Sequence, residues 1–222
     1  MEQARGANLG SLPILLICAA LTGCSQHRPV PVNPDEPLVD VASVVPDIVL
    51  DIRYATENNF MKRVLYPQAR CVLRESVARR LALVQQDLAR DGLRLKVFDA
   101  YRPLSVQRQM WEVMPDSRYV ANPAKGSRHN RGAAVDVTLV DAEGRELEMP
   151  SGYDEFTERA HRNYAGGSAQ ARANRERLIR AMHAHGFRVL DTEWWHFDAV
   201  GWEQYPVLDI PLESIPTASR PE

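Results

Sequence analysis

Helical and strand-like hydrophobic periods follow one another along this chain without settling into a repeating strand–helix–strand rhythm, and this order is what most limits the folds open to it. Over residues 75–91, Val77, Leu81, Val84 and Leu88 recur at three- and four-residue spacing, which gathers them on one helical face, and Gly92 stands where the residue after a helix end belongs. Residues 93–98 then alternate as a strand. Residues 104–114, opened by Pro103, read as a second helix, and residues 133–139 return to strand. Ser168 is placed to cap a long third helix running to His185, with Gly186 as its stop. Residues 188–190 and 195–197 read as the arms of a closing hairpin, and residues 44–54 hold short β-branched runs broken by Pro46. This order predicts an α+β single domain, a small central antiparallel sheet flanked by helices.

The N-terminal residues are of another kind. The apolar stretch 12–21 is too short for a comfortable membrane-spanning helix, which needs about 20 residues, and has the length of a signal-peptide core. It ends in Leu21-Thr22-Gly23-Cys24, the pattern of a bacterial lipobox, in which the cysteine is diacylated and becomes the first residue of the mature chain. Residues 1–23 are therefore expected to be a lipoprotein signal peptide and Cys24 the lipidated residue. Residues 24–40, with Pro29, Pro31, Pro34 and Pro37, are expected to form an extended tether. The folded domain is then set at 41–215 and a C-terminal tail at 216–222. Ser25 after the cysteine, rather than aspartate, points to the outer membrane in a two-membrane envelope. Cys71 is left as the one thiol of the mature domain, so no intrachain disulfide is expected and the residue reads as a small buried apolar group. A formal net charge of −2 gives no basic surface for nucleic acid.

Three polar segments carry chemistry. In Ser127-Arg128-His129-Asn130-Arg131-Gly132-Ala133-Ala134-Val135-Asp136, an imidazole and a carboxylate flank a glycine and small residues that let the backbone turn into a strand. Both side chains suit zinc, but alone they fit equally a surface loop leading into a strand. Thr192-Glu193-Trp194-Trp195-His196 adds a second imidazole with a carboxylate three residues before it. A catalytic zinc takes three protein ligands and keeps one position open. His129, Asp136 and His196 would fill the three, leaving Glu193 as the base that takes a proton from water. Strict alternation along a strand would put Glu193 and His196 on opposite faces, so a turn near residues 191–193 is expected to bring the glutamate in. In Phe98-Asp99-Ala100-Tyr101-Arg102-Pro103, Arg102 follows a strand and is placed to reach a cleft and face an oxyanion, with Asp99 orienting it. Absence of His-Glu-x-x-His excludes a helix-borne zincin site.

Together these segments resemble the VanX-type D-alanyl-D-alanine dipeptidases, zinc peptidases of a hedgehog-like, D,D-peptidase fold. The resemblance lies in Ser-x-His-x-x-Gly-x-Ala-x-Asp (Ser127 to Asp136) and Glu-x-x-His (Glu193 to His196). It extends to the Tyr54-Ala55-Thr56-Glu57-Asn58-Asn59-Phe60 segment and to the acidic stretch around Tyr153-Asp154-Glu155-Phe156. It implies one zinc ion per chain on His129, Asp136 and His196, Glu193 as general base and acid, and Arg102 on the tetrahedral intermediate. It further implies Tyr54, Ser127 and Asp154 as substrate-pocket residues, with Asp154 facing the ammonium of a small dipeptide. Arg128 departs from the small residue frequent in relatives and has two readings, pairing with the substrate carboxylate or facing solvent, the second being favoured; His161 is a candidate neighbour of the site. The expected activity is hydrolysis of D-alanyl-D-alanine by an exported, lipid-anchored enzyme that scavenges D-alanine from wall turnover. Two rivals remain: a D,D-carboxypeptidase or peptidoglycan endopeptidase with the same metal site on longer muropeptides, favoured by an open cleft, and a non-catalytic zinc- or peptidoglycan-binding lipoprotein, which would need neither Glu193 nor Arg102.

Overall fold

The computed structural model describes Met1 and residues 32–217, so the expected signal peptide, Cys24, the first part of the tether and most of the tail lie outside the described residues. The described residues build a five-stranded sheet with helices against it, an α+β domain. Its strands are β2 (Val49–Leu50), β4 (Arg94–Asp99), β5 (Ala134–Val140), β6 (Phe187–Leu190) and β7 (Glu193–Ala199), in the order β2-β4-β5-β7-β6. A separate antiparallel pair joins β1 (Leu38–Asp40) to β3 (Val72–Arg74).

The helices follow their apolar spacing. Helix α1 (Glu75–Ala89) buries Val77, Leu81, Val84 and Leu88, and the left-handed Gly92 (φ 70°) turns the chain back into β4. Helix α2 spans Leu104–Val113. Helix α3 (Ala169–Ala184) starts as its sequence predicts, with Ser168 Oγ accepting from the Ala171 N–H at 2.9 Å. Strands β5 and β7 are buried at every residue and form the middle of the sheet. Cys71 is a free, fully buried thiol in the core, and burial pushes its pKa up.

Two expectations need correction. The sheet is mixed, because β2 pairs with β4 in parallel. The connection between them runs through β3 and α1, the kind of helical crossover that a parallel pair requires, and a two-residue strand carries too little alternation to reveal its direction in sequence. The domain also begins before residue 41. Leu38–Asp40 pairs with Val72–Arg74, and the buried Glu36 carboxylate accepts from Ser76 Oγ at 2.8 Å and from the Tyr205 hydroxyl at 2.6 Å. The prolines suggested a tether, but the long-range partners of these residues tie them to the fold.

Candidate active site

Register places the polar residues. Across the central strands, Asp99 of β4 is the partner of Asp136 in β5, and Asp136 is the partner of His196 in β7. Direct cross-strand partners project from the same face, so three strands deliver their polar residues to one place. His129 arrives from a single 3-10 turn, His129–Arg131, that precedes β5. That turn ends at Gly132 in a left-handed conformation (φ 66°), where an added Cβ would lie 2.5 Å from Leu38 Cδ2; this is the glycine that lets the chain reverse from ligand to strand.

His129 Nε2, His196 Nδ1 and Asp136 Oδ1 form a buried triangle. The imidazole nitrogens are 3.1 Å apart, His196 Nδ1 is 3.0 Å from the carboxylate oxygen and His129 Nε2 is 3.3 Å from it. Tetrahedral coordination with metal–ligand bonds of about 2.0–2.1 Å sets ligand atoms about 3.3 Å apart, so the three side chains fit one ion. The rear nitrogens are also committed. His129 Nδ1 lies 2.7 Å from the Ala100 carbonyl, to which it donates, and His196 Nε2 donates to Asp198 Oδ1 at 2.9 Å, fixing which nitrogen of each ring faces the triangle. The Tyr153 hydroxyl donates to Asp136 Oδ2 at 3.0 Å, orienting the third ligand.

The expected turn is present at Asp191 and Thr192, and Glu193 directly after it opens β7, so the glutamate lies on the strand and not in the loop. The expected opposition of faces disappears through a register shift: Val189 pairs with Phe197, but the next residue of β6, Leu190, pairs with Glu193. Residues 194–196 therefore bulge relative to β6, and Glu193 Oε2 comes within 3.9 Å of His196 Nδ1. Both tryptophans between them are buried, with Trp194 Nε1 donating to Ser151 Oγ at 2.9 Å. Burial, reinforced by Asp136 and Asp154 and opposed by His196, raises the Glu193 carboxyl to about 8.

Arg102 is buried in the cleft wall. Its Nε and Nη2 donate to Asp99 Oδ2 at 3.1 and 2.6 Å and its Nη1 donates to Gln107 Oε1 at 2.8 Å, so three of its N–H groups are held and two remain. Asp99 thus orients the guanidinium, and its other oxygen accepts from the Tyr66 hydroxyl at 2.8 Å. Ser127, also in the wall, accepts the His129 N–H at 3.2 Å.

Opposite the sheet the wall is made by loops. The buried Tyr54 donates its hydroxyl to Asp154 Oδ2 at 3.1 Å. Asp154 is a non-glycine residue at φ 58°, and burial together with Asp136 pushes its carboxyl up to about 7. Phe60 meets Phe156 edge-on at 5.5 Å, and Tyr119 stacks on Phe156 at 4.8 Å. Tyr54, Ser127 and Asp154, expected in the pocket, all line the cleft with the three ligand residues, Glu193 and Arg102, whereas His161 is not among the residues lining it. Sequence reasoning missed Asp198, Tyr153, Gln107 and the aromatic lining of Phe60, Tyr119 and Phe156. Asp198, two residues beyond His196 on the same strand face, was the most readable of these.

The donor chemistry calls for a cation: Asp136, Glu193 and Asp198 crowd around the imidazoles and Asp154 lies within the field of Asp136, while the charge of Arg102 is already matched by Asp99. A His-Asp-His triangle set on two central strands and the turn before β5, with a glutamate beside it in an α+β domain, defines the class as a metal-dependent hydrolase. The chain belongs to the M15 peptidases, in the D-Ala-D-Ala dipeptidase family, whose model matches residues 35–209. It is 38% identical over 171 residues to the D-alanyl-D-alanine dipeptidase of Escherichia coli (strain K12), covering 77% of this chain and 89% of that one. To the D-alanyl-D-alanine dipeptidase of Enterococcus faecium it is 30% identical, over 77% of this chain and 95% of that one. With that of Enterococcus faecalis (strain ATCC 700802 / V583) the identity is 32%, over 70% and 87%.

Proposed function

We propose that this protein hydrolyses D-alanyl-D-alanine to two molecules of D-alanine, using one zinc ion per chain held by His129, Asp136 and His196. The observation that carries the reading is the triangle of ligand atoms 3.0–3.3 Å apart with Glu193 beside it. Zinc supplies Lewis acidity there and lowers the pKa of a bound water toward neutrality. Glu193 takes the proton of the attacking water and returns it to the leaving amine, a transfer favoured by a carboxyl whose buried setting brings its pKa near neutrality. Arg102, gripped by Asp99 and Gln107, faces the oxyanion of the tetrahedral intermediate with its two remaining N–H groups. Asp154, steadied by the Tyr54 hydroxyl, takes the ammonium of the dipeptide.

The dipeptide, rather than a longer muropeptide, is supported by the aromatic wall that Tyr54, Phe60, Tyr119 and Phe156 form in the cleft, joined to Asp154 through the Tyr54 hydroxyl. D-Alanine release from the free dipeptide is expected to be much faster than from a pentapeptide ending in D-alanyl-D-alanine; equal rates on both would assign the chain to the carboxypeptidases instead. The proposal extends to location. Residues 1–23 act as a lipoprotein signal and Cys24 carries the lipid, holding the enzyme on the outer face of the inner membrane or, in keeping with Ser25, at the outer membrane. An exported enzyme misses the cytoplasmic dipeptide pool, so its role is recovery of D-alanine from the wall. Fatty-acid labelling of the protein in cells is expected, and is expected to vanish in Cys24→Ala; unchanged labelling would overturn the anchor.

A further inference from the structure

Three arginines line the cleft, and they are not in the same state. Arg102 is clamped by Asp99 and Gln107 with two N–H groups left, which the proposed mechanism assigns to the oxyanion, and Arg118 is bonded through Nε and Nη2 to the Asp116 carboxylate. The third, Arg128, makes no side-chain hydrogen bond among the described residues. Its guanidinium lies 4.9 Å over the Trp202 ring, its Nε is 3.5 Å from Asp198 Oδ2, and about a third of its side chain is exposed. Asp198 is engaged through its other oxygen with His196, so the ion pair with Arg128 is a loose one. The ring holds the arginine in place without consuming its donors.

Charge is therefore distributed unevenly along the cleft. Asp154 and Glu193 line the cleft within the field of Asp136, while Arg128, next in sequence to His129, lies beside Asp198. A second hollow, lined by Trp111, Lys125, Arg131 and Trp202, shares Arg128 with the cleft and continues the positive character away from the metal centre. A dipeptide in its zwitterionic form carries an ammonium at one end and a carboxylate at the other.

We infer that Arg128, braced on Trp202, is the specificity-determining residue for the free carboxylate of the substrate, and that the hollow with Lys125 and Arg131 is the cationic surround of that carboxylate subsite. The inference rests on the dipeptidase reading and adds to it the group that demands a free C-terminus. Planar guanidinium groups pair with carboxylates through two parallel N–H bonds, and such charge-assisted contacts are the strong ones.

The test compares D-alanyl-D-alanine with its C-terminal amide, which keeps the ammonium and the scissile bond and lacks the charge. Arg128→Ala is expected to raise KM for the dipeptide by about 10- to 100-fold, the range for a hydrogen bond to a charged group, with kcat little changed. The same variant should leave the KM of the amide near its wild-type value, and Arg128→Lys should recover much of the loss. A role confined to propping Asp198 against His196 would instead lower zinc content and kcat for both substrates together, and that result, or no effect on either, overturns the inference. Calorimetric binding of dipeptide and amide to zinc-loaded Glu193→Gln, with and without Arg128→Ala, reads the same discrimination without turnover. If wild-type protein cleaves neither compound yet Glu193→Gln prefers the free acid and loses that preference with Arg128→Ala, the hydrolytic reading fails and the carboxylate site stands. Equal binding of acid and amide removes the site whatever the activity.

Discussion

The two walls of the cleft are built on different principles. One is carried by the sheet: Asp99, Asp136 and His196 are successive cross-strand partners, and Glu193 is set beside them by the bulge in β7. The other is carried by loops: Tyr54 comes from a short 3-10 turn (Arg53–Ala55), and Asp154 is held at φ 58° in a segment without regular structure. Hydrogen-bonded strands hold ligand atoms to within a few tenths of an ångström, as metal geometry demands. Loops place groups that recognise the substrate's ends, where small differences in chain length and shape change what is bound without disturbing the metal centre. Apart from His129 and Arg102, which come from segments next to the strands, chemistry on the sheet and selectivity on the loops is the division this site displays.

The sharpest way to break that division is Glu193→Gln. If the sheet wall supplies the proton transfer, kcat should fall by about 10²- to 10⁴-fold while zinc content stays stoichiometric; full activity in that variant would remove Glu193 as the base.

Removal of the metal tests the sheet wall through stability. Binding at 100 to 1,000 times its dissociation constant stabilises a folded protein by about 3–4 kcal/mol, and chelation should lower Tm accordingly. The pH dependence of the metal-free form has a defined sign. Burial raises Asp154 from 3.8 to about 7 and Glu193 from 4.5 to about 8, so between those values the native state binds more protons than the unfolded state. His196, held charged by Asp198 and Asp136 against the effect of its burial, acts in the same direction above 6.5. Asp136, held low chiefly by His129 against its own burial, matters only below 3.8. The metal-free protein should therefore lose stability steadily from about pH 5 to pH 8, and the zinc-loaded protein should lose much less. Thermal unfolding of both forms across that range decides it; a metal-free form that gains stability toward pH 8 would contradict the buried carboxylate cluster.

The smallest of these effects belongs to the loop wall. Asp154→Asn is expected to raise KM by about 10- to 100-fold, the value of a hydrogen bond between charged groups, with zinc content unchanged and kcat within a few-fold. Loss of zinc in that variant would mean that the loop wall is part of the metal centre and the division fails.

Much of this was legible in the chain. The apolar spacing of α1, the Ser168 cap of α3 and the alternation of β4 are local properties, decided within a few residues of each other, and the structure follows them. The ligand types could be recognised for the same reason: His129, Asp136 and His196 carry metal-binding chemistry wherever they lie, and their motifs are contiguous. The place of β2 was not legible, since two residues carry no period, and neither was the membership of residues 36–40, whose prolines suggest a tether and whose tertiary partners lie 30 or more positions away. The route by which Glu193 joins the site was half legible: the turn at residues 191–192 is a local event, whereas the bulge after it exists only where β6 pairs with β7.

By itself the sequence determined which chemistry was available: the ligand set, the base, the family and the helices that support them, all functions of residue type and short-range spacing. The tertiary structure alone decided that Asp198 locks His196, that Tyr153 orients Asp136 and that Arg128 is left with donors to spare. Those assignments depend on which side chains of distant segments share a face and at what distance. Hydrogen bonds and ion pairs act over a few ångströms, and only strand register and the close packing of the core bring groups from remote parts of the chain within that range.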